Sequence, residues 1–203
     1  RPIAPRQTKH PMNKFFHITG RAWSFLTANL PEPHFVIEHS GKVPTFLQNA
    51  VSALQNKGDI IYTIKDIEGC FPNMPKEAIK FGLLELTAQL RKAGHTEVIV
   101  PKKDSLKCTW TSRKKYGITR MPLQIMMDVI EFVLDNTFIK GLDGMLWQQK
   151  LGIPMGDPHS PGMTIGACAW MEQEWISSLS TEVRSSFRAA RYMAHATSLS
   201  KLP

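Results

Sequence analysis

Apolar residues recur at helical spacing in several stretches. Phe15, Phe16, Ile18, Trp23, Phe25 and Leu26 share one helical face. From Pro44 to Lys57 the repeat is Phe46, Leu47, Ala50, Val51 and Leu54, with Gly58 placed to stop the helix. Pro75 to Ala93 carries Ile79, Leu83, Leu86 and Leu90, with Arg91 and Lys92 in its last turn and Gly94 beyond. Pro122 to Phe138 repeats Ile125, Met126, Val129, Ile130, Val133 and Leu134, the methionines reading as core filler. A further helix runs from Ser160, a candidate cap, to about Leu179, and its Glu172 and Glu174 read as surface charges. β-rich runs lie between these helices. Ile60–Ile64 predicts a strand buried on at least one face, Thr96–Val100 and Lys107–Thr111 a hairpin turning at 101–104, and Met145–Lys150 a short strand. Phe35–Ile37 reads as extended, and a final strand closes the chain.

Strands and helices interleave without regular βαβ repetition, which predicts an α+β fold: an antiparallel sheet with helices on one face. The chain has 203 residues and a formal charge of +8, so a polyanionic partner, nucleic acid before membrane, is expected. Arg6, Lys9, His10 and Lys14 form one basic run. Arg113, Lys114 and Lys115, with Tyr116 beside them, form another that suits phosphate contact with base stacking. Arg184, Arg188 and Arg191 share a face if their segment is helical. Cys70, Cys108 and Cys168 are odd in number and far apart, which predicts no disulfide framework and a reducing, intracellular compartment. No apolar run reaches the length of a membrane span, and neither a signal peptide nor a repeat is evident. The chain begins with Arg1, as a fragment or processed form would.

Two segments carry chemistry. Asp66 directly follows the strand at Ile60–Ile64, and Phe71 stands five residues beyond it, in the order Asp-x-x-x-x-Phe. Farther on the chain reads Gly152-Ile153-Pro154-Met155-Gly156-Asp157-Pro158-His159-Ser160-Pro161. The first resembles the leading catalytic motif of the reverse transcriptase palm, and the second resembles that family's Gly-x-Pro-Gln/Met-Gly-x-x-x-Ser-Pro motif. The resemblance covers most of the chain from about Pro44, and implies a polymerase palm-like antiparallel sheet backed by helices with part of the fingers. Residues 1–43 would be the partial fingers and basic segment, and 44–203 a palm truncated before the thumb. It further implies that Asp66 binds catalytic magnesium and that Phe71 blocks a ribose 2′-hydroxyl. Pro154, Gly156 and Ser160 would lie under nucleotide and template, and Arg1, in Arg1-Pro2-Ile3, would touch the incoming triphosphate.

The family's third motif, aromatic-x-Asp-Asp, would fall at Tyr192-Met193-Ala194-His195. Tyr192 and Met193 fit it, whereas Ala194 and His195 replace the two aspartates. Two magnesium ions about 3.5–4 Å apart need several carboxylates, and one aspartate is too few. Alanine has no ligand atom, and an imidazole suits zinc, copper or iron better. Met155 for the commoner Gln and Asp157 for a frequent Ser are smaller departures, Asp157 placing an acid where it would weaken attraction to phosphate. The expectation is therefore an inactive reverse-transcriptase-like domain without a cofactor of its own, binding RNA or an RNA–DNA duplex within a larger assembly of proteins. A fragment of a magnesium-dependent RNA-directed DNA polymerase from a retroelement or intron is the alternative, and accidental motif matches are the third reading.

Overall fold

A computed structural model describes residues 11–37, 39–54, 60–112, 116–192 and 195–201, with Tyr192 and 195–201 through their backbone. The elements run α1 (Asn13–Thr27), α2 (Val43–Leu54), β1 (Ile60–Asp66), α3 (Cys70–Asn73), α4 (Lys76–Lys92), β2 (Glu97–Pro101), β3 (Ile118–Pro122), α5 (Leu123–Asp135), β4 (Phe138–Lys140), β5 (Leu146–Gln148), α6 (Ser160–Ser178), α7 (Thr181–Ser186), β6 (Phe187–Tyr192) and β7 (His195–Lys201). The fold is α+β, with helices and small antiparallel sheets: β1-β7-β6, β2-β3 and β4-β5. Two compact units emerge, one of Arg1–Pro31 with Gly69–Ala167, the other of Glu32–Glu68 with Cys168–Pro203.

In the first unit the helical stripes meet in one core. Phe16, Ala22, Trp23 and Leu26 of α1 are buried, as are Ile79, Leu83, Leu86 and Leu90 of α4 and Met126, Met127, Ile130, Val133 and Leu134 of α5. Each buried Leu, Ile, Val, Met or Phe among them contributes about 1.5–3 kcal/mol when fully withdrawn from water. The Trp23 indole satisfies its N–H on the Met126 carbonyl, 3.2 Å away.

The hairpin expected at 96–111 is corrected. Strand β2 pairs with β3, whereas 107–111 contributes only an isolated bridge between Ile99 and Thr109. Arg21 of α1 explains the loop between: its guanidinium donates to the carbonyls of Pro101, Lys103 and Leu106 and to Asp104. Gly117, at φ +72°, then turns the chain into β3. Helix α5 begins where expected but stops at Asp135, and the Thr137 hydroxyl donates to the Val133 carbonyl. Phe138 accordingly opens β4, which pairs with the strand foreseen near 145–150.

In the second unit, β1 is the edge strand of β1-β7-β6. The expectation that one of its faces is buried is corrected: only Ile60 and Thr63 are half-buried, and Ile61, Tyr62 and Ile64 are exposed. Ile60 packs with Phe46 and Leu47 around Ala50 and Leu54 of α2. Arg184 lies in α7, while Arg188 and Arg191 lie in β6, where positions three apart face opposite sides. The three arginines therefore do not share a helical face.

Candidate functional site

The glycine-rich segment and Phe71 meet in the first unit. The Ile153 N–H donates to the Phe71 carbonyl at 2.7 Å, and the Gly152 N–H to the Met74 carbonyl at 3.0 Å. Gly152 has φ +82°, and a Cβ there would stand 2.6 Å from the Phe71 carbonyl oxygen and 2.5 Å from that of Pro72. Only glycine accepts both conditions. Two motifs eighty residues apart in sequence are thus sewn together through backbone, with the Phe71 side chain half-buried.

Pro154 and Ser160 are buried, and the Ser160 hydroxyl donates to the Pro154 carbonyl. Ser160 is the first residue of α6 and its hydroxyl closes the loop, in place of the capping bond expected of it. Gly156, at φ +93°, is exposed, so the loop offers its backbone there. The Lys76 ammonium supports the approach to the loop, donating to the carbonyls of Leu134 and Gln149, and burial pushes its pKa down.

The effect expected of Asp157 is not what its setting allows. Asp157 is buried; its Oδ1 accepts from the His159 backbone N–H at 2.8 Å and lies 2.6 Å from His159 Nδ1. Its charge is paired inside and does not project toward a phosphate chain.

The second unit holds Asp66. Strands β6 and β7 form a hairpin that pairs Tyr192 with His195, and β7 pairs antiparallel with β1. The register sets Asp66 directly opposite His195, on an exposed strand end. The backbone register makes positions 66 and 195 cross-strand neighbours. Among the described residues no group of three or more His, Cys, Asp or Glu could hold a metal ion. The sequence offers one carboxylate, Asp66, and an imidazole at this register, where two magnesium ions would need several carboxylates. Arg1, Arg113, Lys114, Lys115, Met193 and Ala194 lie outside the described residues.

Glu172, read from sequence as a surface charge, is instead mostly buried and forms an ion pair with Arg191. It also accepts from the Phe35 N–H at 3.1 Å. Arg191 is 2% exposed, and so is withdrawn from any phosphate. The Arg184 and Arg188 guanidiniums donate to the carbonyls of Ser177, Arg184 and Phe187. Phe35, Trp175 and Phe187 close this corner as an aromatic cluster, with ring centroids 5.3–5.9 Å apart. An acid on a helix and an arginine on a later strand carry no local signal of such pairing.

No protein-family model matches the chain, and no curated protein matches it. Among solved structures the fold is that of telomerases, so the chain has a reverse-transcriptase-like fold. Telomerase from Candida albicans, solved with the TWJ fragment of telomeric RNA, shares 12% identity over 97% of this chain and 33% of its own, with a TM-score of 0.72. Telomerase from Candida tropicalis with the same RNA fragment shares 13% identity over 96% of this chain and 29% of its own, TM-score 0.63. The apo Candida tropicalis enzyme gives 14% identity, 96% and 31% coverage, and a TM-score of 0.61. The chain thus spans about a third of the length of the telomerases it matches.

Proposed function

We propose that this chain is a reverse-transcriptase-like domain without polymerase activity, which binds RNA as one component of a larger ribonucleoprotein assembly. The observation that carries the reading is the Asp66–His195 register within a reverse-transcriptase-like fold: the scaffold of the site is kept, and the carboxylates it would need are not. RNA as the partner draws support from the +8 charge and from Lys102, Lys103 and Lys107, all exposed in the loop after β2. Arg113, Lys114 and Lys115 extend that series in sequence. Two of the telomerase structures with this fold were solved with RNA, which is consistent with the same class of partner here. Protein neighbours are supported by the β4–β5 hairpin, where Leu142, Met145, Leu146 and Trp147 are exposed together.

Primer extension on an RNA template tests the loss of catalysis. Background extension with magnesium and with manganese is expected. Extension that disappears in Asp66→Ala would establish instead a piece of a working RNA-directed DNA polymerase of a retroelement or intron, a reading favoured by the intact Asp66, Phe71 and glycine loop.

A further inference from the structure

The glycine loop is fastened to α1 by three side chains that no step above requires. His159 is fully buried, with its Nδ1 2.6 Å from Asp157 Oδ1 and its Nε2 2.6 Å from Thr19 Oγ1. Thr19 sits inside α1, also fully buried, and its hydroxyl lies 3.1 Å from the carbonyl oxygens of both Phe15 and Phe16. That is where a helical threonine ordinarily donates. A hydroxyl has one hydrogen: a Thr19 that donates to its own helix accepts from Nε2. Nδ1 faces a carboxylate oxygen, which accepts only. In that arrangement both ring nitrogens donate, and the ring facing Asp157 is a cation. Asp157 Oδ2 is buried with no hydrogen-bond partner, so this carboxylate depends heavily on the imidazolium beside it. The Phe16 ring closes edge-on over the imidazole at 5.9 Å.

Close backbone approach brackets these residues. A Cβ on Gly20 would stand 2.7 Å from Pro158 Cβ, and one on Gly162 would stand 2.9 Å from Trp23 Cβ. Helix α1 thus meets the loop at Pro158 and the first turn of α6 at Gly162, each time through a glycine, and Gly156 stands exposed ahead of both.

We propose that Thr19, His159 and Asp157 form a charged latch that positions loop 152–160 against α1, and that RNA affinity depends on the loop geometry it holds. The residues are positioning residues and touch no RNA themselves. The RNA arm rests on the proposed function; the latch itself does not.

The full-length chain serves for the test. Long-range proton–nitrogen correlation spectra, with His159→Gln as the assignment blank, are expected to show protons on both ring nitrogens of His159; a singly protonated ring overturns the latch. Hydrogen exchange then follows the loop amides. Thr19→Val removes the acceptor at constant shape and is expected to speed exchange at His159 and Ser160 about tenfold, the order of one buried hydrogen bond. Thr19→Ser is expected to restore the slow rate, with the α4 core amides unchanged in both variants. Unchanged loop exchange in Thr19→Val, or no rescue by serine, overturns the latch. RNA affinity should fall in Thr19→Val and recover in Thr19→Ser; a loosened loop with unaltered affinity removes the link to RNA. If the wild-type chain binds no RNA, the functional reading fails, while the spectra and exchange rates still decide the latch.

Discussion

Gly152 shows how much a single position holds. Its φ of +82° and the Phe71 and Pro72 carbonyls facing it leave no room for a Cβ. Gly152→Ala is expected to cost at least about 1–2 kcal/mol from the left-handed backbone alone, with the clash added, read by chemical denaturation. Cys108 gives a residue-scale pH test. Burial is the main cause raising its thiol pKa above the ordinary value of 9.0, with Arg21 opposing. The unfolded thiol then ionises first, so this group's contribution to stability is complete below pH 9 and is lost as pH rises beyond it. The stability of the wild type relative to Cys108→Ala should accordingly decline above pH 9, and a constant difference would contradict the assignment. Asp66, Phe71 and the glycine loop were legible at this scale because each rests on local spacing. Glu172 was not, since its partners Arg191 and Phe35 are distant in sequence and meet it only through the fold.

Helices α1, α2, α4 and α5 could be read from periodicity because each buries a stripe, whereas α6 is buried on most sides over 162–169 and is legible from its apolar run after Ser160. Strands were read less well. β3 was hidden because Ile118–Pro122 runs straight into α5, and its Met121 looks like the start of the helical repeat. Lys107–Thr111 has strand-like composition, yet Arg21 holds the loop before it in a shape that admits only one bridge. The exposure of β1 was not legible, since an apolar run does not reveal whether anything packs on it. The ion pair joining α6 to β6 supports a prediction at this scale. Glu172→Ala removes the carboxylate that faces the 2%-exposed Arg191 and should destabilise the chain by about 3–5 kcal/mol, measured by urea denaturation. A loss below 1 kcal/mol would mean that Arg191 finds another partner or reaches water.

At the scale of the whole molecule, two compact units carry the two halves of the recognisable chemistry: the glycine loop with Phe71 in one, and Asp66 with the β6–β7 hairpin in the other. The fold is α+β, Ala194 and His195 stand at the third-motif positions, and the formal charge is +8. The proposed function is that the chain holds a polyanion, RNA. The measurement that tests this most directly is the affinity of the purified chain for a single-stranded RNA as salt is raised, read by fluorescence anisotropy. Each phosphate contact releases counterions and steepens the logarithmic salt dependence by about 0.7 for a single strand. A steep negative slope is expected, with replacement of Arg113, Lys114 and Lys115 by alanine lowering it by about two, one for each lost contact at most. Absence of binding at low salt, or an affinity indifferent to salt, would contradict the account.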